Sequence, residues 1–326
     1  MSRREEISRA IARMKAGQTY VPQLPAHEEL PALPERGVYL SPARRLRHRD
    51  VAKGIFRIRE SVHPAIRLVL SVLPFAAVAA WWFWMTAGGE PEFRHIAPTI
   101  LPSPAEFGDQ VGTLITVGRL GFNIALSLTR VMAGFSIAAA IALPLGMLMG
   151  ASGRINATFN MTMTVLSYLP VPAVVPLTMA WWGSGEQQKV GFLALVTFAV
   201  LLAAVYRSIT RVDHKYVLSS YTQGASAWDI VSKVLVPVAM PDIFAAMRTC
   251  LGVGWTYIVL VEVIKSGDEV GGVGNLIMVY HRLGHMPEVY LTVISIMLVG
   301  AVIDRLCMII GSMLFPYKNG QHENGN

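Results

Sequence analysis

At 326 residues, 53% hydrophobic, only 15% charged and with a mean hydropathy of +0.46, the chain is too apolar for an ordinary soluble domain. A formal net charge of +7 raises nucleic acid as a partner, but residues 1–67 hold 14 of the 28 Lys and Arg, just ahead of the first apolar run. That placement is the positive-inside signature of a membrane protein with a cytoplasmic N-terminus, and it sets nucleic acid aside.

Residues 1–17 pattern as a short basic amphipathic helix with Ile7, Ile11 and Met14 on one side. It either lies on anionic membrane lipid or is solvated. Pro22, Pro25, Pro31, Pro34 and Pro42 make residues 20–43 an extended linker, and residues 44–65 are basic. No small-residue cleavage site precedes the first span, so no removable signal peptide is expected. Residues 1–65 therefore read as a cytoplasmic segment.

Six runs have the length and apolarity to cross about 30 Å of hydrocarbon. They are Ile66–Thr86, Phe122–Gly150, Met161–Trp182, Val190–Tyr206, Ile243–Ile264 and Val289–Phe315. The fold class is all-α, a polytopic membrane protein of about six spans with both termini cytoplasmic. After the first span, Ser103 or Pro104 opens a surface helix to about Val117 outside the cytoplasm. In the second span, Gly146-x-x-x-Gly150 is a candidate close-packing face. Ala151–Asn156 is a cytoplasmic turn.

The third span carries Pro170, Pro172 and Pro176 within seven residues. A helix so broken survives in a bilayer only where protein or a water-filled cavity satisfies the freed carbonyls. Ser167–Pro176 accordingly reads as pathway-lining, the alternative being a kink at a bundle interface. Gly183–Lys189 is a tight exterior turn. Residues 207–242 form a cytoplasmic loop, in which Leu218–Pro241 is polar and amphipathic. It patterns as a helix-turn-helix pinned at Gly224 and ended by Pro237 and Pro241. The last exterior loop, Ser266–Met286, holds Asp268, Glu269, Gly271, Gly272 and Gly274, and Asn275–Tyr280 patterns as a re-entrant or interfacial helix.

Ionisable residues inside spans are costly and mark function or pairing. Glu262 either shapes an outer gate or pairs with Lys265 one turn away. Arg130 and Arg248 read as interfacial anchors ahead of attractors for an anion. Asp304 and Arg305 read as structural residues near the cytoplasmic end of the last span. Cys250 and Cys307 are small packing residues, and the Gly284 between His281 and His285 argues against a metal there. The chain contains no Gly-Lys dipeptide, hence no phosphate-cradling P-loop, and it shows no nucleophile elbow or zinc motif. No catalytic residue, metal or cofactor is expected.

Gly224 is followed after nine residues by Val234-Leu235-Val236-Pro237, which resembles the cytoplasmic loop of ATP-binding-cassette (ABC) importer permeases. In that family Glu-Ala-Ala, three residues, Gly and nine residues precede Ile-x-Leu-Pro. Leu218-Ser219-Ser220 stand where Glu-Ala-Ala is usual. Leu101–Pro104, Ser127–Phe135, Pro144–Gly146, Gly183–Glu186, Glu262, Gly272–Gly274 and Asp304-Arg305 are similar to the nitrate/sulfonate/taurine branch, over about residues 95–317. The resemblance implies a MetI-like type I permease core at 95–317, added to a first transmembrane helix at 66–86. It also implies a homodimer or paired permease in a bacterial inner membrane. Separate ABC ATPase subunits would dock on Leu218, Ser219, Ser220, Gly224, Ala225, Val234, Val236 and Pro237. A periplasmic binding protein would deliver a small anion to a pathway gated near Pro170, Pro172, Pro176, Glu262, Gly272 and Gly274. The rival function is a self-sufficient secondary transporter.

Overall fold

The computed structural model describes residues 63–88, 94–264 and 271–317. The expectations placed on residues 1–62, Lys265, Asp268, Glu269 and the C-terminus lie outside the described residues. Every regular element among the described residues is helical. In chain order these are α1 (Pro64–Met85), α2 (Pro104–Thr116), α3 (Leu120–Ala151), α4 (Gly153–Ser167), α5 (Val171–Trp182) and α6 (Glu186–Thr210). There follow α7 (His214–Thr222), α8 (Ala227–Ile230), a π-helical turn (Val231–Leu235), α9 (Val236–Glu262), α10 (Val273–Leu283) and α11 (Met286–Leu314). The chain divides into two compact units, Met1–Ser71 and Val72–Asn326, and the helical bundle lies in the second.

By length and apolarity α1, α3, α6, the run Ala227–Glu262 and α11 can each cross a membrane. The pair α4–α5 is a sixth, broken span bent by 104°. Apolar side chains such as Leu68, Phe75 and Trp84 on α1 are exposed. Around a helix of this composition, hydrocarbon is the medium that removes the cost of that exposure.

The centre of the bundle is the pair α3 and α6, which run parallel: Gly134 faces Leu193, Gly146 faces Val205 and Gly150 faces Ile209. Gly134, Ala138, Ala142, Gly146 and Gly150 recur every four residues along α3, a spacing that places them on one ridge. A Cβ on Gly134 would lie 2.6 Å from Leu193 Cβ, and one on Gly150 would lie 2.5 Å from Ile209 Cβ. Backbone-to-backbone proximity of this kind is available only to small residues. Gly146 and Gly150 thus form the packing face expected of them. α9 lies across the pair, its Leu251, Trp255 and Ile258 sharing a core with Val131 of α3, Val174 of α5 and Val196 of α6. Trp255 Nε1 donates to Ile296 O at 2.9 Å, tying α9 to α11.

The break between α4 and α5 follows from its prolines. Tyr168 and Leu169 close the end of α4 with tightened bonds to Val165 O and Leu166 O. Pro170 then takes the N-cap of α5 with extended backbone, and Pro172 sits in its first turn. Neither position needs an N–H, and Leu169, the residue before Pro170, is driven away from helix.

Three sequence expectations are corrected. Ala151–Asn156 is not a turn, because α4 begins at Gly153 and only Ser152 interrupts the helix. Gly183–Lys189 is a turn only to Gly185. Gln188 and Lys189 lie buried in the first turn of α6, where Gln188 Nε2 reaches Thr178 Oγ1 of α5 at 3.1 Å. Pro237 and Pro241 do not end the second helix of the 218–241 element, which runs on from Ala227 to Glu262. The π-helical turn explains this. The Val236 N–H pairs back to Val231 O, and Pro237 then occupies the opening turn of α9, where its missing donor costs little.

Candidate functional site

At one end of the bundle, α3, α6, α9 and the segment opening α10 meet around a buried charge cluster. Arg130 of α3, 2% exposed, donates from Nη1 to Glu262 Oε1 of α9 at 2.7 Å. Its Nε donates to Glu186 Oε2 of α6 at 2.7 Å, and its Nη2 also bonds Glu186. Lys189 Nζ lies 3.8 Å from Glu186 Oε1. Arg130 and Lys189 thereby face Glu186 and Glu262, so the four formal charges balance. Arg130, Lys189 and Glu262 are buried while Glu186 is exposed, and burying the first three is tolerable only with that balance and with their remaining polar valences filled.

Glycine-rich backbone fills those valences. The Gly274 N–H donates to Glu262 Oε2 at 3.0 Å, and Arg130 Nη1 also reaches Gly271 O at 3.2 Å. Ser127 Oγ donates to the Glu262 carboxylate at 2.7 Å and accepts from the Val273 N–H at 3.0 Å. Asn123 Oδ1 accepts from the Gly272 N–H at 2.7 Å. Gly272 has φ +109°, and a Cβ there would stand 2.4 Å from the Glu262 carboxyl carbon. On Gly274 a Cβ would stand 2.5 Å from Val259 O. The glycines let main chain close directly over a carboxylate.

Glu262, Gly272 and Gly274, singled out from the sequence, are therefore one constellation. Glu262 pairs with Arg130 across 132 residues of chain, while Lys265 lies outside the described residues. Arg130 is not an interfacial anchor as expected: it is the cluster's centre, because two carboxylates on other helices neutralise it. Arg248 of α9 chelates Asp304 of α11 at 2.5 and 2.6 Å, a half-exposed bidentate pair joining two helices. Sequence reading missed Asn123, Ser127 and Glu186 as members of the cluster. The usable signal was an Arg and a Glu in different spans, each needing a counter-ion. Pro170, Pro172 and Pro176 sit elsewhere, on α5 and its cap, exposed along one stretch and taking no part in these bonds.

At the other end, α7 and α8 form a compact elbow. Asp213 caps α7 by accepting from the Lys215 N–H at 3.0 Å. Gly224, at φ +77°, donates to Tyr221 O, and Ala225 N–H donates to Ser220 O. This pair of bonds is a Schellman ending, whose left-handed position favours glycine. Ser226 then caps α8 by accepting from the Asp229 N–H at 3.2 Å, and Asp229 pairs with Lys233 at 2.6 Å. Ile230 is buried and anchors the elbow, whereas Tyr216, Leu218, Tyr221 and Trp228 are exposed. Ser219, Gly224 and Pro237 are exposed, and Ser220, Ala225, Val234 and Val236 half-buried. Where Glu-Ala-Ala is usual, Ser219 and Ser220 make only local bonds, the Ser220 hydroxyl donating to Tyr216 O.

The bundle thus joins a broken span, a charge-locked end and a capped elbow between two long helices. The family described as the binding-protein-dependent transport system inner membrane component matches residues 142–314. A Methanocaldococcus jannaschii protein described as an ABC transporter permease is 32% identical over 205 residues, covering 63% of this chain and 76% of that one. The taurine transport system permease protein of Escherichia coli is 27% identical over 212 residues, covering 63% and 74%. An inward-facing structure of the MetNI methionine ABC transporter is similar in fold, with a TM-score of 0.53 at 19% identity over 60% of this chain and 95% of that chain. The chain belongs to the binding-protein-dependent transport system inner membrane component family. It is the transmembrane permease subunit of an ABC importer, with the MetI-like core expected, and not a self-sufficient secondary transporter.

Proposed function

We propose that this permease, paired with a second copy or a close relative, imports a small sulfonate-type organic anion across a bacterial inner membrane. A periplasmic binding protein delivers the solute. Separate ATPase subunits supply the energy, so this chain is not itself an enzyme. Residues 95–317 form the working unit with α1 added at its edge, and both termini are cytoplasmic. The likeness to a taurine permease supports the substrate class.

The elbow α7–α8 is the observation that carries the coupling assignment. It is polar between two membrane-crossing helices, rigid by virtue of three caps, and exposes aromatic and aliphatic side chains at its tip. An element of this kind fits a groove on a partner and passes rigid-body motion into α9, with which α8 is continuous. Leu218, Ser219, Ser220, Gly224, Ala225, Val234, Val236 and Pro237 make up its contact and hinge surface. On the opposite side of the membrane, the Glu262, Gly272 and Gly274 constellation forms the outer gate, while the bend at Pro170, Pro172 and Pro176 lines the pathway.

Gly224→Trp tests the coupling assignment, since a Cβ at φ +77° is strained and the bulk falls within the docking surface. The expected result is that ATPase subunits no longer co-purify with the permease and ATP-driven taurine uptake by reconstituted vesicles disappears. Retention of both co-purification and uptake would overturn it.

A further inference from the structure

Beside the bend between α4 and α5 lies a pocket of about 410 Å³. Leu169 and Val171 from the bend and Val196 from α6 supply apolar wall, and Ser167, Tyr257 and Arg207 supply polar groups. At 1.5 Å per residue, Val196 and Arg207 on one helix are about 16 Å apart. The pocket therefore runs over roughly half a membrane thickness, from mid-α6 to the elbow end.

Among the described residues its charge is uncompensated. Arg130 is neutralised by Glu186 and Glu262, and Arg248 by Asp304. Arg207 lines the pocket without a side-chain hydrogen bond or ion pair among the described residues, and no carboxylate is among the lining residues. The Tyr257 hydroxyl likewise has no partner among the described residues. Ser167 Oγ spends its proton on Met163 O at 2.9 Å, which leaves it an acceptor. A guanidinium and a phenol that have no partner among the described residues, on an aliphatic wall, complement an anionic head carrying a short apolar tail.

We propose that this pocket is a transit site for the imported anion within the permease. Arg207 and the Tyr257 hydroxyl hold the sulfonate oxygens, and Leu169, Val171 and Val196 hold the alkyl tail. The assignment rests on the anion-import reading above and adds a locus and residues to it. Two donors on an open pocket make a weak site, which suits a solute that must leave again. Delivery by a binding protein selects the solute first, and this site biases which solute moves on.

The test uses the full permease–ATPase complex in two arms. In the first, without binding protein, thermal unfolding is followed with ethanesulfonate and with neutral ethyl methyl sulfone at matched ionic strength. The wild-type complex is expected to be stabilised by ethanesulfonate alone. Arg207→Gln removes that stabilisation, Arg207→Lys keeps part of it, and Tyr257→Phe weakens it. In the second arm, with binding protein in proteoliposomes, ethanesulfonate uptake per complex falls about tenfold in Arg207→Gln, the effect of one charge-assisted hydrogen bond. Equal stabilisation and equal uptake in wild type and Arg207→Gln overturn the site while leaving anion import standing. If the wild-type complex takes up neither ethanesulfonate nor taurine, the anion reading falls and the site falls with it. Tyr257→Phe and Arg207→Lys guard against a misfolded Arg207→Gln, since each keeps the bulk of the native side chain.

Discussion

Arg130 and Glu262, 132 residues apart in sequence, meet at 2.7 Å with both side chains shut off from solvent. The pair joins α3 to the last turn of α9, and Glu262 in turn holds the backbone that opens α10. The segment that opens α10 is therefore fastened to the helix that starts at the α7–α8 elbow. A displacement of the elbow that tilts the Ala227–Glu262 helix must carry Glu262 with it or break the cluster.

Removing one member of the buried Arg130–Glu262 pair leaves a charge unmatched, which costs about 3–5 kcal/mol. Glu262→Ala is expected to lower the thermal stability of the detergent-purified permease by that amount. Glu262→Gln keeps an acceptor and should cost less. Arg130→Met combined with Glu262→Met should be less damaging than the sum of the single changes, because each single change orphans a charge and the pair does not. Calorimetric or dye-monitored unfolding of the four proteins measures the coupling directly, and strict additivity would contradict it.

The α3–α6 seam predicts a contrast between glycines. Gly150→Ala places a methyl 2.5 Å from Ile209 Cβ and 2.6 Å from its Cγ2, both close to the branch point and unable to swing away. Overpacking of this type costs about 1–3 kcal/mol. Gly252→Ala in α9 meets nothing within 4 Å and should gain roughly 0.5–1 kcal/mol from helix propensity. Opposite shifts of the unfolding midpoint are expected, and a loss of stability in both would show that the seam is not the cause.

Much of this arrangement was legible because it is local. A glycine at a left-handed C-cap, a serine three residues before a glutamate, and clustered prolines each act within a turn or two. So Gly224, the Ser103 cap and the α4–α5 break could be read from the chain. The small-residue ridge was half legible: Gly146 and Gly150 stood out, whereas Gly134, Ala138 and Ala142 look like ordinary membrane-helix composition. The charge cluster was not legible as a cluster, since nothing in spacing joins Arg130 to partners 56 and 132 residues away. The need for a counter-ion was visible, and its address was not. The passage of α8 into α9 escaped for another reason. A π-helical turn is an offset of one hydrogen bond, with no residue type of its own, so Pro237 and Pro241 looked like terminators.

The capping box of α2 gives a pH dependence. Ser103 Oγ accepts from the Glu106 N–H at 3.4 Å, Glu106 Oε2 accepts from the Ser103 N–H at 2.8 Å, and Arg94 Nη1 donates to Glu106 Oε1 at 2.9 Å. Partial burial pushes the Glu106 carboxyl up. The Ser103 amide and the Arg94 guanidinium outweigh it and hold the group below the ordinary carboxylate range. A depressed native pKa means the unfolded state binds its proton first as pH falls. The stabilisation is therefore complete above the ordinary value of about 4.3, declines below it, and is lost as pH passes through the lower native value. Amide exchange over Pro104–Thr116 should accelerate across that window relative to the core of α6, after correction for intrinsic rates. In Glu106→Gln, whose amide oxygen can still accept from Ser103 but cannot titrate, the same comparison should be flat. An identical pH response in the two proteins would place the acid sensitivity of α2 in some group other than Glu106.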